Sequence, residues 1–201
     1  MLFRSLVEDV TLINKRSQNL HAEMLLRLLG RSQPPASSIP EKARQPGEPP
    51  PRRGEGSTEA GLAVLRAWLA NIGVNPGDME FYDGSGLSRR NLVTPHAVVQ
   101  LLTYVETQPW AALFRDSLPV AGVDGTLENR MKDSPAGAGG RVRAKTGTVG
   151  HTNALAGYLE TQAGETLIFA IYLNNHTLDE KRAVELLDQL CALLVALPPT
   201  Q

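Results

Sequence analysis

Three features of the sequence predict an α+β fold. Apolar residues recur with helical period through the first 114 residues, outside one proline-rich stretch. After Gly140 the pattern switches to strand-like runs. The final apolar stretch, Asp179 to Leu197, returns to helical period and is long enough to cover a sheet.

In chain order, Leu2 to Ile13 is read as a short helix, followed by a polar turn from Asn14 to Asn19. An amphipathic helix comes next, with Leu20, Met24 and Leu28 on one stripe, Leu25 and Leu29 beside it, and Gly30 as a C-cap. Residues 31–56 carry Pro34, Pro35, Pro40, Pro46, Pro49, Pro50 and Pro51 with only Ile39 as a large apolar residue. So little burial cannot offset ordering entropy, and a disordered or polyproline-like insertion is expected.

Ser57 or Thr58 caps a helix bearing Leu62, Leu65, Leu69 and Ile72, which Gly73 and Pro76-Gly77 stop. A turn-rich loop from Tyr82 to Ser88 leads to Thr94-Pro95, an N-cap and N1 pair. The helix they start presents Val98, Leu101, Leu102 and Val105. A further helical turn or two is expected from Pro109 to Phe114, then loop from Leu118 to Gly140. Strands are predicted over Arg141–Thr146, Ala154–Glu160 and Thr166–Leu173. The last is an apolar run suited to a central position buried on both faces. The link 161–165 suits a hairpin, so the strands are antiparallel. The closing helix carries Val184, Leu187, Cys191 and Leu194 and ends at Pro198-Pro199.

Length and composition exclude several functions. The 201 residues suffice for one hydrophobic core, and 42% are apolar. Twenty basic and twenty-one acidic residues leave a net charge of -1, which gives no pull toward nucleic acid. No apolar run is long enough to span a bilayer, and the segment from Met1 to Asp9 is not a secretory signal. The single cysteine, Cys191, sits among leucines and reads as a core residue. His21, His96, His151 and His176 lack metal-ligand spacing, and no metal or cofactor is implied. Asp83, Asp124 and Glu128 read as solvated loop residues, and Trp68 and Trp110 as packing residues.

Two motifs carry chemistry. Lys145-Thr146-Gly147-Thr148 ends a candidate strand. A fixed cation, two hydroxyl donors and a glycine that admits close approach could hold a carboxylate and offer an N–H to an oxyanion. Ser17-Gln18-Asn19 offers a proton-relaying hydroxyl and an amide that could bind a substrate carbonyl. It could equally be a helix N-terminus capped by Ser17 or Asn19.

Together, in this order, the motifs resemble the penicillin-binding proteins and class A β-lactamases. Four segments narrow the resemblance: NKRSQNLHAEMLLRLL (14–29), DGSGLSRRNLVTP (83–95), LPVAGVDGTLENRM (118–131) and RAKTGTVGHTNALAG (143–157). They are similar to the S13 peptidases, the D-Ala-D-Ala carboxypeptidase/endopeptidase family of penicillin-binding proteins. The resemblance implies a partial transpeptidase-like fold built from 1–30 and 57–201. It implies acyl-enzyme hydrolysis of D-Ala-D-Ala stem peptides of peptidoglycan, acylation by β-lactams, and a location in the periplasm or cell envelope. It gives Ser17 a part in proton transfer, Asn19 the substrate's amide carbonyl, and Lys145 the electrostatics of the site. Thr146, Gly147 and Thr148 form the substrate-binding segment. The two threonines would hold the terminal carboxylate and the Thr148 N–H half of the oxyanion hole. The 83–87 loop would be supporting structure.

One part of the family pattern is missing. The nucleophile of this family is the serine of Ser-x-x-Lys. The residues three before Lys15, Lys42, Lys132, Lys145 and Lys181 are Leu12, Ile39, Asn129, Val142 and Leu178. The sequence is therefore expected to be a fragment, inactive alone, whose N-terminal half supplies the nucleophile. The alternative is a non-catalytic pseudoenzyme or peptidoglycan-binding module. Without the strands of that half, one sheet edge should be uncovered and prone to association.

Overall fold

The computed structural model describes residues 5–32 and 56–199. The proline-rich insertion falls almost wholly outside them, as does the start of the first predicted helix. The chain divides into two compact units, Met1–Ser17 with Val105–Gln201, and Gln18–Tyr104.

The first unit opens with α1 (Leu6–Arg16), started by a capping box in which Ser5 and Glu8 satisfy each other's backbone N–H groups. The helix runs three residues past the predicted end, through Asn14, Lys15 and Arg16. It stops at Ser17, which is left-handed (φ 53°) and returns its N–H to the Ile13 carbonyl. The α5 helix (Ala111–Ser117) packs against α1. Three antiparallel strands follow: β3 (Val142–Val149), β4 (Thr152–Glu160) and β5 (Thr166–Asn174). The α6 helix (Glu180–Val195), capped by Asp179, closes the unit. Its Leu187, Cys191 and Val195 pack on Val142, Ala144, Leu155, Leu159 and Phe169 of the sheet, with Leu127 and Met131 completing the core. Cys191 is the core residue its neighbours predicted, and burial pushes its thiol up to about 12.

Two sheet expectations are corrected. The sheet order is β3-β4-β5, so β4 is the central strand and β5 lies at an edge among the described residues. The apolar run of β5 was a poor guide because it reports hydrophobicity, not pairing. Leu167, Phe169, Ile171 and Leu173 join the core, while Ile168 and Tyr172 face away and stay half-buried. The centre goes instead to β4, which brings Ala154, Ala156 and Gly157 among its larger residues. A side chain at Gly157 would lie 2.1 Å from the Arg143 carbonyl oxygen of β3. The segment predicted as loop, 118–140, also runs partly along β3. The Ala121 N–H donates to the Val142 carbonyl and the Ala144 N–H to the Pro119 carbonyl, at 2.9 and 3.0 Å.

The second unit holds α2 (Asn19–Ser32), α3 (Thr58–Asn71), a two-stranded ribbon of β1 (Met79–Glu80) and β2 (Leu92–Val93), and most of α4 (Pro95–Glu106). Leu69, Val74 and Ala97 form its core, with Leu65, Ile72, Met79, Phe81, Val93 and Leu101 around them. The buried Arg66 guanidinium donates to the Phe81 carbonyl at 2.7 Å.

Here the predicted stripe of α2 is corrected. Leu20, Met24 and Leu28 are 70%, 58% and 57% exposed. The buried face carries Leu26 and Gly30 instead. Gly30 is no C-cap: it is interior to the helix and faces α3, where a Cβ would lie 2.6 Å from the Gly61 nitrogen. A Cβ on Gly61 would lie 2.1 Å from the Leu26 carbonyl oxygen. Two glycines let the backbones meet, so the contact is made by the absence of side chains, which hydrophobic periodicity does not register. Among the described residues no helix is long and apolar enough to cross a membrane.

Gly61→Ala should therefore force α2 and α3 apart. A loss of about 2 kcal/mol or more is expected, from overpacking against backbone that cannot yield. Urea unfolding measures it, with Gly73→Ala as the comparison, since Gly73 has open space around it but a positive φ.

Candidate active site

The C-terminus of α1 is anchored by three contacts inside the first unit. Asn14 Nδ2 donates to the buried Ser117 hydroxyl at 2.7 Å. Lys15 Nζ donates to both carboxylate oxygens of Asp124, at 2.8 and 2.7 Å. Gly125 (φ 62°) lies beneath the Lys15 carbonyl, and a Cβ there would be 2.9 Å from that oxygen. Asp124 is thus an anchor, not the solvated loop residue expected. It also accepts from the Val120 N–H at 2.9 Å. Partial burial raises its pKa, but the Lys15 hydrogen bond, the Val120 N–H and the charges of Lys15 and Arg143 outweigh that and hold it below the ordinary carboxylate value.

The anchored helix presents Ser17 to the sheet. Lys145, on β3, donates from Nζ to Ser17 Oγ at 2.8 Å and to the Thr146 carbonyl at 2.7 Å. Burial pushes the Lys145 ammonium below its ordinary 10.5. A lysine so shifted and hydrogen-bonded to a hydroxyl can exchange a proton with it more readily than a solvated one. The Thr146 hydroxyl is 2.9 Å from that of Thr126, in a 3-10 turn at Gly125–Leu127 beside β3. Gly147 and Thr148 are exposed. Thr148 pairs in register with Asn153 of β4, whose Nδ2 donates to Thr148 Oγ1 at 3.2 Å.

Ser17, Lys145, Thr146, Gly147 and Thr148 therefore belong to one unit, and the first two touch. Asn19 is the first residue of α2 and belongs to the second unit. Ser17 closes one helix and Asn19 opens the next, so neither is a simple side-chain N-cap. The 83–88 loop is a tight turn, as expected. Asp83 accepts from the Gly86 and Ser88 N–H groups and from Asn91 Nδ2, at 2.6 to 2.8 Å. Glu23 of α2 accepts from the Gly84 and Ser85 N–H groups. Trp68 stacks edge-on against Tyr104 at 5.7 Å. Among the described residues no group of three His, Cys, Asp or Glu is arranged to hold a metal ion.

Sequence reasoning missed Asp124, Thr126, Asn153 and His176. The run Asp124-Gly125-Thr126 carried a signal, a glycine between two polar residues. Nothing local marked Asn153.

Residues 50–196 match the family model described as D-Ala-D-Ala carboxypeptidase 3 (S13). A D-alanyl-D-alanine carboxypeptidase of Actinomadura sp. (strain R39) is 40% identical over 168 residues, 81% of this chain and 27% of that protein. The carboxypeptidase DacB of Mycolicibacterium smegmatis is 37% identical over 59% of this chain and 27% of its own length. Penicillin-binding protein 4 (DacB) of Haemophilus influenzae, solved with a β-lactam, has a TM-score of 0.71 at 28% identity, over 93% of this chain and 40% of that one. The chain thus spans about a quarter of the length of these curated relatives.

Two outcomes test the site. Lys145 should titrate below 10.5 by NMR of its side-chain carbons. The folded chain then binds fewer protons than the unfolded one between that midpoint and 10.5, so the Lys145 contribution to stability rises with pH across that window. The difference in urea midpoint between wild type and Lys145→Met should therefore move in favour of wild type across that window. Asp124→Asn should cost about 1 kcal/mol near neutral pH, modest because the carboxylate is nearly half exposed. Its contribution is present above the ordinary carboxylate value and lost as pH falls through the lowered one, so wild type and variant should converge in acid.

Proposed function

The chain belongs to the D-Ala-D-Ala carboxypeptidase 3 (S13) family, and on that premise we propose that it forms the substrate-holding side of a serine-type D-Ala-D-Ala carboxypeptidase site. The observation that carries this reading is the 2.8 Å hydrogen bond from Lys145 to Ser17, residues 128 apart in sequence. It joins the two motifs whose chemistry acyl transfer requires.

In this reading the terminal carboxylate of a D-Ala-D-Ala stem peptide, or of a β-lactam, is held by the Thr146 and Thr148 hydroxyls. Gly147, with no side chain, leaves the strand backbone open to the ligand. The Thr148 N–H contributes one oxyanion donor. Asn19 binds the substrate's amide carbonyl. Ser17 and Lys145 move the proton between attacking hydroxyl and leaving amine, a task suited to a lysine of lowered pKa. The attacking serine and its paired lysine come from polypeptide outside these 201 residues, in which no serine lies three residues before a lysine. Alone, the chain has no acylation activity. The site of action is the cell envelope, where peptidoglycan lies. Residues 1–30 and 57–201 are the transpeptidase-like part, and 31–56 an insertion within it.

That same absence favours a second reading, a non-catalytic module that binds peptidoglycan peptides. The two separate on completion. Joined to a polypeptide bearing Ser-x-x-Lys from a relative, the chain should be labelled covalently by fluorescent penicillin, and the 201 residues alone should not. Ser17→Ala or Lys145→Ala in the completed protein should slow labelling about 100-fold. A folded, completed protein that never labels would leave the binding module as the reading.

A further inference from the structure

Beneath Thr148 runs a short polar chain that the proposed reaction does not use. Asn153 on β4 is only 3% exposed, though its register partner on β3, Thr148, is open to solvent. A buried amide must spend its donors and acceptor on specific partners. Its Nδ2 donates to Thr148 Oγ1 at 3.2 Å. Its Oδ1 faces His176 Nε2 at 2.8 Å. His176, just past β5, is fixed in turn: its N–H donates to the His151 carbonyl, and its own carbonyl lies 3.0 Å from His151 Nδ1. His176 Nδ1 is buried without a hydrogen-bond partner.

Asn153 Oδ1 accepts, so His176 donates to it from Nε2. Asn153 Nδ2 can only donate, so Thr148 Oγ1 accepts from below. The Thr148 hydroxyl proton then has no inward partner and is turned to the exposed side of β3.

We propose that Asn153, held by His176, is a positioning residue that fixes the Thr148 hydroxyl as an outward donor for the carboxylate of a D-Ala-terminated peptide. This rests on the carboxylate-binding reading above and adds to it the residue that sets the direction of the bond. Asn153 touches no substrate and acts only through Thr148.

The test uses the 201-residue chain, with binding of N-acetyl-D-Ala-D-Ala and of its C-terminal carboxamide followed on the β3 amides by NMR. Wild type should favour the acid. Asn153→Leu should weaken the acid about fivefold, the loss of one oriented donor, and leave the carboxamide unchanged. In a Thr148→Val background Asn153→Leu should have no further effect, because both changes remove the same bond. The near-isosteric Asn153→Asp, which keeps the fold within reach of the same measurement, should weaken the acid more, since a carboxylate draws the Thr148 proton inward and adds like charge. The His176 ring should show a protonated Nε2 in wild type and mixed tautomers in Asn153→Leu. If wild type binds neither ligand, the carboxylate-binding reading fails and this inference falls with it. If wild type binds the acid but the Asn153 and Thr148 effects add, or Asn153→Leu weakens both ligands alike, or Asn153→Asp binds as wild type does, the positioning role is refuted.

Discussion

The site depends on how one helix is made to end. An α-helix leaves its last carbonyls without partners, and at α1 the left-handed Ser17 turns the chain sharply while returning its N–H to Ile13. A serine in that conformation is held at some cost, because a Cβ is disfavoured there. The cost is met nearby. The bidentate Lys15–Asp124 pair, the Asn14–Ser117 bond and the close seat of Gly125 beneath Lys15 fix the last turn of the helix to the 117–127 segment. That segment also touches Thr146 through Thr126 and follows the outer edge of β3 from 119 to 121. Ser17 and Lys145 therefore meet through a shared support and not through their own hydrogen bond alone.

Much of this was legible in the sequence. The switch from helical to strand periodicity gave the fold class. Both motifs were visible as residue types. Thr94-Pro95 and Asp179 marked helix starts that the structure has. What escaped has a common physical character. Gly30 and Gly61 make a helix contact by having no side chain, so apolar stripes pointed to the opposite face of α2. The position of β5 at an edge depends on which strands pair, and composition cannot report that. Asp124 was read as solvated because its partner lies 109 residues away. Asn153 was silent because a lone asparagine in a strand looks the same whether it is buried in a polar chain or left in water.

The sheet illustrates the same division of labour. β4 occupies the centre with Ala154, Ala156 and Gly157, small enough for its neighbours to close in, and contributes Asn153 from below. β3 carries the groups that face solvent at Gly147 and Thr148. The chemistry is displayed by one strand and oriented by the next.

The Ser17–Lys145 contact also says something about length. It closes a loop of 128 residues, and the whole second unit is spelled out inside that loop. Closure entropy grows only with the logarithm of loop length, so the proline-rich stretch within it adds about 0.2 kcal/mol to the closure cost. The 31–56 stretch is thus a place where a gene can gain or lose sequence with almost no closure penalty at the site. Variation in chain length among relatives is expected to gather there, while the spacing from Asp124 to Asn153 stays rigid.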